Sequence, residues 1–163
     1  MAIAVYSPED VVVLLAGFIN ISGFAEGTFV SISKDVGNFS TRESSDGVVS
    51  RNHAKSATYT VTLTLASTSE SNQALSIASA LDNATKMGMF PFIIKDTLGS
   101  TLFFAPKAWI ENLPDTPFDV NVTDRKWNIK CSNAVLTVGG NESPSSLLGD
   151  LLAVGGGMLG NAL

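Results

Sequence analysis

The sequence predicts a mainly-β fold, a β-sandwich or barrel with one flanking α-helix. Three observations carry this expectation. From Thr58 to Leu65, apolar Tyr59, Val61, Leu63 and Leu65 alternate with Thr58, Thr60, Thr62 and Thr64, the period-two signature of a strand with one buried face. One internal stretch instead has helical spacing, with Ala74, Leu75, Ile77, Ala78, Leu81 and Ala84 forming an apolar stripe. The remainder divides into short apolar or alternating runs bounded by Gly, Pro, Asn and Asp, giving about eight strands without a tandem period. Runs of strands with a single helix favour a sandwich or barrel.

Taken in order, residues 10–21 form one or two strands broken near Gly17, and residues 23–27 form a turn. Residues 28–34 form a strand with Val30 and Ile32 on one face and Ser31 and Ser33 on the other. Residues 35–56 are polar and contain the turn pair Asp46-Gly47, flanked by Phe39-Ser40-Thr41 and Val48-Val49-Ser50. They form a long protruding hairpin whose base is the strand pair 28–34 and 58–66. Long ordered segments of this kind are usually functional.

Ser67 and Glu70 have the spacing of a capping box ahead of the helix, and Gly88 is placed to close it in the left-handed region. Residues 89–95 and 101–105 flank a turn over 96–100, and Trp109-Ile110 extends the second arm. Pro114 and Pro117 mark a loop, residues 118–122 a short edge strand, and residues 126–132 and 135–138 the last two strands.

The first 142 residues therefore make one domain. Residues 143–163 are a separate glycine-rich apolar arm, in which Ser143 and Pro144 can open a helical turn and Leu147, Leu148, Leu151 and Leu152 form a stripe. An apolar arm of this kind needs a surface to dock on, and a neighbouring subunit is the favoured one.

Composition limits function. Of the 163 residues 45% are hydrophobic and only 15% charged, against roughly 25% charged in ordinary soluble domains. Such a chain is expected to hide surface by self-association. A net charge of −5 argues against direct nucleic-acid binding, which needs a basic footprint. Cys131 is the single cysteine, so no internal disulfide is possible and a reducing compartment is expected. Its strand neighbours Trp127 and Ile129 place it in the core. No signal peptide or membrane anchor is expected, because no basic leader precedes the first apolar run and none approaches roughly 20 residues.

No cofactor or metal is expected. His53 is the single histidine and lies among Arg51, Asn52 and Lys55 as a solvated side chain. The carboxylate pairs Asp115/Asp119 and Glu43/Asp46 lack an apolar setting that would separate their pKa values. Gly155 to Gly160 matches G-x-G-x-x-G, but the strand, helix and acidic residue that give the motif meaning are missing. The Asn20 and Asn121 sequons have no meaning without secretion. The chain carries no enzyme signature.

A family resemblance rests on the order of these features. Tyr6-Ser7-Pro8-Glu9-Asp10-Val11 precedes the first strand, and Gly23-Phe24-Ala25-Glu26-Gly27-Thr28-Phe29-Val30 opens the next. The Asp46-Gly47 loop, Thr62-Leu63-Thr64-Leu65, Thr68-Ser69-Glu70-Ser71-Asn72 and Phe92-Ile93-Ile94-Lys95-Asp96 follow. Ala108-Trp109-Ile110, Pro114-Asp115, Arg125-Lys126-Trp127 and Gly139-Gly140-Asn141 complete the series. Together, over residues 5–142, this pattern resembles the tail tube proteins of contractile-tailed bacteriophages and related prophage structural proteins.

That resemblance implies homo-hexameric rings stacked into a hollow tube inside a contractile sheath. The partners it implies are the sheath, tape measure and baseplate proteins, with DNA passing through the lumen without specific binding. The place it implies is the phage tail of the virion, assembled in the bacterial host cytoplasm. Residues 35–56 match the loop that reaches the adjacent ring, which makes Arg42, Glu43, Asp46, Gly47 and Arg51 the candidate inter-ring contacts. Leu147, Leu148, Leu151 and Leu152 are the candidate subunit-interface arm, assigned from composition alone. Thr58, Thr60, Thr62 and Thr64 are candidates for the lumen face, although alternation alone leaves solvent or a second sheet layer equally open. The alternatives are a type VI secretion-like tube or baseplate component on the same fold, or a carbohydrate-binding β-sandwich module, which needs exposed aromatics.

Overall fold

The computed structural model describes residues 4–140. It is mainly β with one helix, built as a single eight-stranded antiparallel sheet plus a separate hairpin. After a 3-10 turn at Pro8–Asp10, the strands are β1 (Val11–Leu15), β2 (Ile19–Asn20), β3 (Val30–Lys34), β4 (Phe39–Glu43), β5 (Val49–His53) and β6 (Tyr59–Ala66). Helix α1 (Ser71–Thr85) follows, then β7 (Phe90–Asp96), β8 (Leu102–Asn112), β9 (Asp124–Ser132) and β10 (Val135–Thr137).

The strand order is β2-β1-β7-β8-β9-β6-β3, with β10 also pairing β8, while β4 and β5 pair only with each other. No pairing joins β3 to β1 or β2, so among the described residues the sheet does not close into a barrel. It curls around its own core instead. Val13 and Leu15 from β1, Phe92 from β7, Phe103 from β8, Trp127, Ile129 and Cys131 from β9, and Val61, Leu63 and Leu65 from β6 are all buried in one cluster. Tyr59 and Phe103, two strands apart, meet edge to face at 5.5 Å, an arrangement a flat sheet would not allow.

Alternation explains most of this. In β6 the odd positions Val61, Leu63 and Leu65 are buried. The antiparallel register to β9 sets them against Ile129, Trp127 and Arg125, so apolar faces meet on the concave side. Bulges in β8, where the pairing with β7 shifts between Phe90 and Phe92, add the twist that lets so long a strand bend.

The helix differs from expectation at both ends. Its N-cap is Glu70 without a side-chain cap. Ser69 takes the capping role instead, accepting from the Ser71 N–H at 3.2 Å while its hydroxyl donates to the Ser22 carbonyl at 2.6 Å. At the far end Lys86, at φ 58°, is the left-handed residue. Gly88 is required for space, since a Cβ there would lie 2.7 Å from Asp82 Cα. The stripe is also rotated. Leu75 is buried and Ala78 packs on the core, but Ile77 and Leu81 are 60% and 57% exposed. The helix seats Leu75 and Asn72 on the sheet, and the Asn72 amide oxygen accepts the Trp127 indole N–H at 2.9 Å.

Candidate assembly interface

The β4–β5 hairpin adds no residue to the hydrophobic core of the described chain. All ten of its strand residues are exposed. At its tip Ser44 N–H donates to the Val48 carbonyl and Gly47 N–H to the Ser44 carbonyl, both at 2.9 Å. Gly47 has φ 84°, so Ser45, Asp46 and Gly47 form a three-residue connection whose last residue must be left-handed.

The register places Phe39 opposite His53 and Thr41 opposite Arg51. One face is therefore stiffened from within: the Phe39 and His53 rings lie 5.1 Å apart, and the Arg51 guanidinium sits 3.9 Å over Phe39. Arg42 and Ser50 occupy the opposite face, while Glu43 shares the Phe39 face near the tip. His53 is thus a packing partner within the hairpin. The five loop residues singled out from sequence share one projecting, exposed element.

The threonine face lies on the convex side of the sheet. Thr60 is set beside Lys130, Thr62 beside Asn128 and Thr64 beside Lys126, with Ser33 and Ser31 continuing the surface across β3. Thr58 precedes β6 and is half-buried, as are Thr60 and Thr62, whereas Thr64 is buried. Two lysines therefore stand among these hydroxyls.

Lys130 does not offer a bare charge. Its Nζ lies 2.7 Å from Asp35 Oδ2 and 3.1 Å from Thr60 Oγ1, and the Thr60 hydroxyl donates to Asp35 Oδ1 at 2.6 Å. The Lys130 hydrogen bond, with help from Thr60, holds the Asp35 carboxyl below its ordinary value, and the same bond raises Lys130. The carboxylate's contribution to stability is present above its unfolded pKa and is lost as pH falls through the depressed one. The lysine's contribution is present below its unfolded pKa and is lost as pH rises through the raised one. The pair is therefore intact from about pH 4 to about pH 10. Asp35→Asn should narrow the stability gap to wild type as pH drops below 4, read by urea titration at a series of pH values. The effect is expected to be small, because both side chains are about a quarter exposed. A gap that stays constant down to pH 2 would contradict the pairing.

Two further surfaces were not anticipated. On the convex face Leu14, Ile93, Phe104 and Val135 are successive cross-strand neighbours on β1, β7, β8 and β10. They make an apolar band, visible in sequence only once the register is known.

The second is the segment 113–123, expected to hold an edge strand at 118–122. It forms no strand, yet it is not unorganised. Arg125 is buried and turns its guanidinium to this segment, donating to Thr123 Oγ1 at 2.7 Å and to the Pro117 carbonyl at 3.2 Å. With the backbone held there, Phe118 and Val120 point outward at 92% and 99% exposure, and Val122 is exposed too. Apolar side chains so fully exposed mark interfaces. Removing the guanidinium in Arg125→Met is expected to cost about 2 kcal/mol, since the buried arginine's charge-assisted bonds to Thr123 and Pro117 are lost. It should also make the 117–123 backbone amides exchange faster in hydrogen–deuterium exchange; unchanged exchange would show that Arg125 does not organise the segment.

Leu147, Leu148, Leu151 and Leu152 lie outside the described residues. Among the described residues no group of three or more His, Cys, Asp or Glu side chains is placed to hold a metal, and no helix is long and apolar enough to cross a membrane. Trp127 is buried and Trp109 half-buried, so the tryptophans do not form an exposed sugar-binding platform.

No known protein-family model matches the chain. Over 154 residues, covering 90% of this chain and 89% of the relative, it is 30% identical to structural protein ORF10 of Pseudomonas phage KPP10. Its fold is similar to the cryo-EM structure of the anti-feeding prophage cap, the AFP tube terminating cap, at TM-score 0.50 and 14% identity. That likeness covers 85% of this chain and 96% of the cap chain.

Proposed function

The chain belongs to the family of phage structural proteins that includes ORF10 of Pseudomonas phage KPP10, and we propose that it is a subunit of the phage tail tube. In this reading hexameric rings stack into a hollow conduit inside a contractile sheath, and DNA passes through during ejection. The observation that carries it is the β4–β5 hairpin. Two short strands with no exposed-to-core contact of their own are marginal in water, and this pair is exposed along its whole length. An adjacent ring would supply the missing surface through Arg42, Glu43, Asp46, Gly47 and Arg51.

Lateral contacts within a ring would use the apolar surfaces. The band from Leu14 to Val135 and the Phe118–Val120–Val122 edge lie on separate elements, as a head-to-tail ring interface requires. The hydroxyl-rich face of β3, β6 and β9 is the proposed lumen wall. There Asp35 neutralises Lys130, which limits the salt-dependent grip that free lysines exert on phosphates. Sheath, tape measure and baseplate proteins are the proposed partners, and the virion tail the proposed location.

A second reading is supported by the likeness to a tube terminating cap. A terminator would add one ring to a finished tube and stop.

Replacing residues 36–54 with a two-residue turn tests the proposal. The variant should keep its cooperative unfolding and its unfolding midpoint, because the hairpin gives nothing to the core. It should form rings that fail to stack. Stacked tubes in the electron microscope after this replacement would refute the hairpin as the inter-ring contact.

A further inference from the structure

The curled sheet fails to close along one line, and that line is an apolar groove. Between the β1–β7 side and β3 lies a groove of about 500 Å³ whose lining includes Tyr6, Val11, Val30, Ile32, Ile94 and Thr101. Among the described residues β3 pairs only with β6, and β2 reaches only Leu14 and Leu15 of β1, so no described strand flanks the Val11 end on that side. Folded proteins normally cover such edges.

The chain passes out of the described residues beside this groove. Thr101, a lining residue, accepts from the Gly139 N–H and donates to the Gly139 carbonyl, each at 3.1 Å. The Gly140 carbonyl accepts the Ser100 N–H at 3.0 Å. Residues 141–163 contain no Lys or Arg, and Glu142 and Asp150 are their only charged residues. Leu147 follows Gly140 by seven residues, a reach of up to about 25 Å, or roughly five strand spacings.

We propose that this groove is the docking site of the chain's own C-terminal arm, with Leu147, Leu148, Leu151 and Leu152 covering Val11, Val30, Ile32 and Ile94. Composition alone favours a neighbouring subunit for the arm. The exit point favours its own body, because the arm starts from a hydrogen bond to the groove wall. The arm then closes the line that backbone pairing leaves open, and it does so within one subunit, before and independently of assembly.

The test uses the full chain with Ile32→Cys as a reporter. Cys131 gives no background, being fully buried with its thiol pushed up to about 12, chiefly by burial. Maleimide should label the reporter slowly in the otherwise native chain. Labelling should be about tenfold faster when Leu147, Leu148, Leu151 and Leu152 are all changed to Ser, since covering groups then open readily. Equal rates would overturn the proposal. A second variant, Ile32→Cys with Leu151→Cys, is oxidised at low protein concentration. A disulfide within a monomer is expected. A covalent dimer would assign the groove to a second copy, and no cross-link with both thiols reactive would leave the arm elsewhere; either result overturns docking in the same chain. Both readouts are made on the unassembled subunit, so they stand apart from the tail-tube reading.

Discussion

Trp127→Ala should destabilise the subunit by about 3–5 kcal/mol, the range for truncating a buried large aromatic. The side chain is 2% exposed at the centre of the core cluster. It does two jobs. Its ring fills the space between β9, β6 and the helix, and its indole N–H ties Asn72 at the start of α1 to the sheet. Asn72 in turn donates to the Ala66 carbonyl at 2.9 Å and the Ser69 carbonyl at 3.1 Å, so the strand-to-helix turn depends on the same contact. Against a total stability of about 5–15 kcal/mol, a loss of this size removes a substantial share of the folding margin. Trp127→Phe keeps most of the volume and loses the hydrogen bond, and should cost about 1–2 kcal/mol. Urea unfolding followed by circular dichroism separates the two. An alanine variant within 1 kcal/mol of wild type would contradict this picture of the core.

Phe118→Asp combined with Val120→Asp should abolish assembly while leaving the isolated subunit intact. Both side chains are almost wholly exposed, so monomer stability should change by no more than about 0.5 kcal/mol. In an interface the same change buries two carboxylates, beside Asp119, without partners, and that cost is prohibitive. Under the proposed ring assembly, sedimentation velocity should show monomers at concentrations where wild type assembles. Rings of normal size in the double variant would remove segment 113–123 from the interface.

Much of the fold was legible in the sequence because β6 announces itself. Strict alternation from Tyr59 to Leu65 fixes which face is buried, and its neighbours β3 and β9 follow the same rule. The hairpin at 35–56 was legible for the opposite reason: it has too few apolar residues to belong to the core. What failed were decisions that only tertiary contacts make. Ser67 has the right spacing for a capping box, but the Ser67 N–H is taken by the Thr123 carbonyl at 2.8 Å, and Ser69 does the capping. Ile77 and Leu81 match the helical stripe, yet the helix is set by Asn72 and Leu75 and turns them outward. Residues 118–122 alternate as a strand should. They find no strand partner among the described residues, and Arg125, whose role no local pattern reveals, holds the segment through Thr123 and Pro117. The convex apolar band is absent from any single strand's pattern, since it is assembled across four of them. The openness of the sheet was equally hidden, because alternation records faces and says nothing about whether edges meet.

Whether this subunit builds a tube is decided by cryo-electron microscopy of the purified protein at high concentration. Six-fold rings and hollow rods of uniform width are expected, with the β4–β5 hairpin bridging successive rings and the threonine face of β6 on the inner wall. Single rings that never stack would favour a terminator. Particles with no annular form, or rods whose inner wall is the Leu14–Val135 band, would rule out a tube of this geometry.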